Sequence, residues 1–227
     1  MNNNESINSK NLKVVTNQLE TLDYFIFFGT LLSFMRNDQL INRDDDIDIM
    51  VNINDKIKLL ELLKNSNLEL KVNTDSFCQF FSIDDIEQKF PIDFYFFIDD
   101  HKKIIDKWNF FGWEGKKFKR RHEMHLDKKL IFPLKSIKFL DSEVKVPNNP
   151  TQICKYLYGP RWNTPLSKNV DYFIFIFNNK PIIFYNKQIV KLLYILSLFL
   201  NKKYSKGLRN LYYLIPKKIR KIIKKLM

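Results

Sequence analysis

Apolar residues recur at spacings of three and four over residues 7–23, INSKNLKVVTNQLETLD, where Leu12, Val15, Leu19 and Leu22 share one side. That period predicts an amphipathic helix. YFIFF (24–28) is wholly apolar and ends at Gly29, which suits a buried strand. TLLSFMRND then reads as a helix capped by Thr30. DIDIMVNI (46–53) alternates as a strand does, and DKIKLLELLKNSN (55–67) has helical spacing. LELKVN, QFFSI and FPIDFYFFI read as three more strands. Residues 100–147 follow no clear period. PTQICKYLYG (150–159) opens on Pro and closes on Gly, the usual asymmetry of a helix. The order of elements predicts an α/β domain, and no internal repeat or low-complexity linker interrupts it.

Composition supports a folded chain. Of 227 residues 45% are hydrophobic and 21 are Phe, ample for a core. Cys78 and Cys154 are the only cysteines and lie far apart, which suits a reducing compartment. The polar start MNNNESINSK gives no sign of a secretory signal. The longest apolar run, LLYILSLFL (192–200), is about half the roughly 20 residues of a membrane-spanning helix. These features predict a cytoplasmic protein.

Charge divides the chain at about residue 171. The net charge is +13, and residues 172–227 hold 13 Lys and Arg with no Asp or Glu, while the rest holds 25 of each sign. The expected domains are therefore residues 1–170 and a basic helical extension, 171–227. In SKGLRNLYYLIPKKIRKIIKKLM the positions Leu208, Leu211, Ile215, Ile219, Ile222 and Leu226 recur every three or four residues, with basic residues between them. A basic amphipathic helix of this kind fits an anionic membrane surface, here through residues 187–227, at the inner face of the cytoplasmic membrane. Equally, its apolar side could pack on the domain with the lysines solvated. The neutral domain and the lack of an aromatic-basic stacking motif argue against nucleic acid as a partner.

The chemistry concentrates in RDDDIDIMV (43–51). Residues two apart on a strand share a face and lie about 6.5–7 Å apart, so Asp46 and Asp48 project together while Ile47 and Ile49 point to the core. Asp44 joins that face if the strand begins early, and Asp45 points away. Carboxylates this close repel unless a cation sits between them, and Mg²⁺ binds through one or two carboxylates plus phosphate. In FPIDFYFFI, Asp93 lies opposite the apolar face of Ile92, Phe94, Phe96 and Ile98. An unpaired charge there is costly, so a three-carboxylate metal site explains Asp93 better than a wet edge does. A solvated acidic turn is the plain alternative. Gly29-Thr30, between a strand and a helix, places N–H groups where an anion would sit. RRHEMHLDKK carries His122 and His125, but their spacing matches no zinc pattern with Cys78 and Cys154.

GTLLSFMR…DDDIDI, FPIDFYFF and LIFPLKSIKFLDSEVKVPNNPTQICKYLYGPRWNTP, in that order from Tyr24 to Pro165, resemble the LicD family. That family belongs to the nucleotidyltransferase superfamily and is related to the fukutin-type transferases. The resemblance implies a nucleotidyltransferase-like mixed sheet flanked by helices. It also implies an Mg²⁺-dependent enzyme with one or two ions, or Mn²⁺. Such an enzyme moves phosphocholine, glycerol-phosphate or ribitol-phosphate from a CDP-linked donor to a sugar hydroxyl of a cell-surface or lipid-linked glycan, releasing CMP. By position it implies Asp46 and Asp48 as the metal pair, Asp44 as the acid before it, and Asp93 as the third ligand or general base. Gly29, Thr30 and Arg36 fall on the phosphate-contacting motif, and Tyr158 and Trp162 on the late motif, where core packing competes with stacking on a base or sugar. Ser33 and Asn42-Arg43 depart from the family pattern at positions bordering the pocket, which bears on the donor alcohol. Two other functions use the same features: NMP transfer from an NTP by the same carboxylates, and nucleic-acid binding by the tail.

Overall fold

The computed structural model describes residues 7–36, 46–114 and 117–201. The chain divides into two compact units, Met1–Trp108 with His125–Asn163, and Asn109–Met124 with Thr164–Met227. The basic segment 202–227 and the acidic residues Asp44 and Asp45 lie outside the described residues.

In the first unit, α1 (Ile7–Gln18) precedes β1 (Tyr24–Ile26), α2 (Phe28–Met35) and β2 (Ile47–Asn52). A 3-10 turn at Ile53–Asp55 leads into α3 (Lys56–Lys64), and β3 (Leu68–Thr74), β4 (Phe77–Ser82) and β5 (Ile92–Asp100) follow. The mixed sheet is built on the apolar strands: β2 and β5 pair in parallel from Ile47↔Ile92 to Asn52↔Phe97. β1 flanks β2 and β4 flanks β5, both antiparallel, and β3 pairs with β4. Ile47, Ile49, Met50, Val51, Ile92, Phe94, Phe96 and Phe97 are buried, so β2 and β5 are covered on both faces, as parallel strands require. Leu12, Val15 and Leu59 and Leu63 of α1 and α3 are buried as well. Helix α1 is shorter than its apolar period predicts, yet Leu19 and Leu22 beyond its end are still buried.

The stretch without a readable period, 100–147, is mostly strand. β6 (Lys103–Glu114) and β7 (Lys117–Asp127) pair with each other, a short helix α4 (Lys128–Ile131) follows, and β8 (Lys135–Phe139) pairs with β9 (Ser142–Val146). The start of β6 forms a hairpin with β5 through Asp100↔Lys103 to Phe97↔Asp106. Here the fully buried Asp106 occupies a position that alternation would give to an apolar residue. Helix α5 (Pro150–Tyr158) has Pro in its first turn and an Asn149 cap, whose side chain accepts from Gln152 N. It ends at Gly159, where φ 76° and ψ −169° define a backbone region essentially confined to glycine.

In the second unit, β10 (Phe173–Phe177) and β11 (Lys180–Phe184) form a hairpin, and α6 spans Lys187–Asn201. Asn178 and Asn179 both have positive φ, the requirement of a two-residue turn that matches strand twist. β10 also runs parallel to the far end of β6, Ile176↔Gly112. Phe173, Val190 and Leu193 form the buried centre here, with Phe175, Phe184 and Ile189 packed against it. Among the described residues no helix is long and apolar enough to cross a membrane.

Candidate functional site

Parallel pairing of β2 with β5 sets Asp48 directly beside Asp93. Asp46, two residues before Asp48, reaches the same place, and one carboxylate oxygen from each of Asp46, Asp48 and Asp93 lies within 4.8 Å of the others. Asp48 and Asp93 are buried, 4% and 7% exposed, and Asp46 is half-buried. Three like charges in so little water are costly. Burial, followed by the charges of Asp46 and then Asp93, pushes the Asp48 carboxyl well above its ordinary range, while hydrogen bonds from Gly29 N and the Tyr95 hydroxyl act against the shift.

The β1–α2 turn is shaped around Asp48. The helix begins at Phe28, with Phe27 at the cap position and no side-chain cap bond, so Thr30 lies inside the first turn and does not cap α2 as its residue type predicts. Its hydroxyl is engaged elsewhere. Thr30 is fully buried, and its Oγ1 accepts from Asp48 N at 2.8 Å. Gly29 N donates to Asp48 Oδ2 at 2.8 Å, and Phe27 N donates to the Asp48 carbonyl at 3.0 Å. This geometry needs a left-handed residue at Phe28, φ 37°, a strain of about 1–2 kcal/mol for a side chain with Cβ. The Phe28 ring is held edge-on against Phe27 and Tyr95, at 4.7 Å and 4.9 Å between centroids.

Asp93 is held from its own sheet. Gln79 stands opposite it on β4, and Gln79 Nε2 donates to Asp93 Oδ1 at 2.9 Å. Tyr95, two residues along β5 on the same face, points its hydroxyl at Asp93 Oδ2 at 3.4 Å and also hydrogen-bonds Asp48. Burial and then the charges of Asp48, Asp93 and Asp46 raise the Tyr95 phenol well above its ordinary range, so at neutral pH it is a neutral donor. Neither Gln79 nor Tyr95 is singled out by the sequence. The only signal was the two-residue spacing of Tyr95 from Asp93.

Arg36, just past α2, is the remaining cation of the first motif. Its Nε donates to the Trp162 carbonyl at 2.9 Å, and its Nη2 donates to the same oxygen. The arginine of the first motif thus meets the backbone of the late one. Trp162 is half-buried, whereas Tyr158 is 8% exposed and belongs to the core. In this arrangement Gly29 and Thr30 bond to Asp48, and Arg36 to Trp162. Asp44 lies outside the described residues.

Three hard oxygen donors converging on one point, two of them buried and mutually repelling, fit a divalent cation such as Mg²⁺ or Mn²⁺ and offer none of the soft ligands zinc prefers. The family described as LicD/FKTN/FKRP, nucleotidyltransferase domain, matches residues 21–149. The chain belongs to the LicD family. The matched span of this LicD protein takes in Gly29, Thr30, Arg36, Asp46, Asp48 and Asp93, and ends just before α5 with Tyr158, and Trp162 beyond it. No curated protein sequence matches the chain. Among solved structures, the lincomycin-bound lincosamide antibiotic adenylyltransferase LnuA is similar at 15% identity and a TM-score of 0.44, over 63% of this chain and 82% of that one. The LicD protein is thus a transferase-family member with an α/β sheet and an acidic centre able to hold a metal ion.

Proposed function

We propose that this LicD protein transfers a phospho-alcohol, such as phosphocholine, glycerol-phosphate or ribitol-phosphate, from a CDP-linked donor to a sugar hydroxyl of a cell-surface glycan, with release of CMP. The observation that carries the reading is the convergence of Asp46, Asp48 and Asp93 within 4.8 Å, inside the span that matches the family. Asp46, Asp48 and Asp93 would hold the cation, with Asp44 a further candidate. A bound divalent ion supplies the positive charge that phosphoryl transfer needs at the phosphate oxygens.

The chain's own groups do the rest. Gly29 N and Thr30 Oγ1 fix both the carboxylate and the backbone of Asp48, so their part in donor binding is indirect. Arg36 anchors the turn bearing Trp162, whose ring is the candidate for stacking on a base or sugar. Asp93, less exposed than Asp46, is the candidate to take the proton of the acceptor hydroxyl. The basic segment 187–227 would bring the enzyme to an anionic membrane carrying a lipid-linked acceptor; of this segment, 187–201 form α6.

The test is CMP release from CDP-choline, CDP-glycerol and CDP-ribitol, in Mg²⁺ or EDTA, with Asp46→Asn as control. Mg²⁺-dependent CMP from one donor, lost in the variant, would support the reading and name the alcohol. Pyrophosphate from an NTP would replace it with nucleotidyl transfer by the same carboxylates.

A further inference from the structure

An aspartate on a strand reaches a metal with the right oxygen only if its χ angles are fixed. Asp48 is fixed by the β1–α2 turn through Gly29 N. Asp93 belongs to β5, and its hydrogen bonds to Gln79 and Tyr95 come from the sheet itself. What faces Asp93 is β4, where antiparallel register puts Gln79 at the directly opposed position. There its amide spans the pair and donates to Oδ1 at 2.9 Å. The other oxygen, Oδ2, receives the Tyr95 hydroxyl at 3.4 Å. A carboxylate is acceptor-only when ionised, so both neighbours must be donors, and both are.

We infer that Gln79 is a positioning residue of the carboxylate centre: its amide on Oδ1 locks Asp93 in the rotamer that completes the site with Asp46 and Asp48, with Tyr95 sharing one hydroxyl proton between Asp93 and Asp48. The inference rests on the metal-centre reading above. Outer donors of this kind, when removed, typically lower metal affinity 10–100-fold. A leucine in place of Gln79 keeps much of the volume and the strand partner but loses the donor. The metal ligands themselves stay in place.

The experiment is Mn²⁺ binding to the full chain, read by loss of the free-ion EPR signal, for wild type, Gln79→Leu, Tyr95→Phe and Asp93→Asn, with thermal unfolding in EDTA alongside. Gln79→Leu should weaken Mn²⁺ about tenfold or more, and Tyr95→Phe several-fold. Both should still unfold cooperatively in EDTA, somewhat below the wild-type temperature because a buried carboxylate has lost a donor, and the bound-ion spectrum of Gln79→Leu should broaden as Asp93 loses its fixed orientation. If Gln79→Leu is not folded, Tyr95→Phe and Gln79→Met carry the same comparison. Wild-type affinity and an unchanged bound-ion spectrum in folded Gln79 variants would overturn the inference and leave the metal centre standing. Equal Mn²⁺ binding by wild type and Asp93→Asn would instead overturn the metal-centre reading, and this inference with it.

Discussion

Asp48→Asn should make the metal-free protein more stable. The substitution keeps the side chain's shape and can still accept from Gly29 N, now at 2.8 Å from Oδ2, but it removes one charge from three carboxylates within 4.8 Å of each other. At an effective dielectric of about 20, each fully ionised pair at that separation repels by about 3.5 kcal/mol, and Asp48 takes part in two such pairs. Water at the half-buried Asp46, proton uptake and the two donors offset much of this, leaving a net gain of about 1–3 kcal/mol for the asparagine. For a chain of this size that corresponds to about 3–9 °C in unfolding temperature.

The sign with pH follows from the raised Asp48 carboxyl. A carboxyl with a folded pKa above its unfolded value binds more protons when folded. It therefore contributes stability that is fully present below the unfolded value, near 4, and is lost as pH rises through the raised folded value. In EDTA the wild type should lose stability as pH rises above about 4, and Asp48→Asn should lose less, so the gap between them widens toward pH 8. Divalent cation reverses the order. At a hundredfold excess over its dissociation constant an ion bound only to the folded state adds about 2.7 kcal/mol, and the variant should gain little of it. Thermal unfolding of both proteins at several pH values, in EDTA and in Mg²⁺, measures all four quantities. An asparagine variant less stable than wild type in EDTA, with the full Mg²⁺ shift intact, would refute the charge-repulsion account.

Other substitutions isolate the supports. Thr30→Val keeps the shape but leaves Asp48 N–H buried without its acceptor, so it should cost about 1–3 kcal/mol in chemical denaturation while Thr30→Ser costs less. Arg36→Lys removes the two-pronged grip on the Trp162 carbonyl; trypsin cleavage after the exposed Arg161 should speed up several-fold at unchanged global stability. Gly159→Ala places a Cβ in a backbone region only glycine tolerates, and should lower stability by about 1–3 kcal/mol by the same denaturation measurement.

Much of the centre was legible because burial of charge is expensive enough to show in the pattern. The D-x-D of Asp46 and Asp48 running into Ile49, Met50 and Val51, and Asp93 among phenylalanines, are carboxylates where a core strand should have none, and a shared cation is the economical reason. What the pattern does not contain is pairing. That Asp48 stands beside Asp93, and Gln79 opposite it, depends on registers between strands far apart in the chain. Within QFFSI, Gln79 reads as the polar first residue of a strand; in the fold β4 starts at Phe77 and Gln79 is interior.

Two polar side chains inside the fold share one cause. Thr30 is a good helix cap by type, and an aspartate such as Asp106 is rarely buried, yet both are fully buried. In each case a polar side chain is used in the interior, Thr30 by the Asp48 backbone and Asp106 within the β5–β6 hairpin, and the local rule yields to a tertiary demand. At Thr30 that demand is the site itself. There the Thr30 hydroxyl holds the Asp48 backbone while Gly29 N holds its carboxylate, and together they fix Asp48 beside Asp46 and Asp93. The uncapped helix and the left-handed Phe28 are thus the local cost, about 1–2 kcal/mol at Phe28, of a carboxylate held ready for a cation.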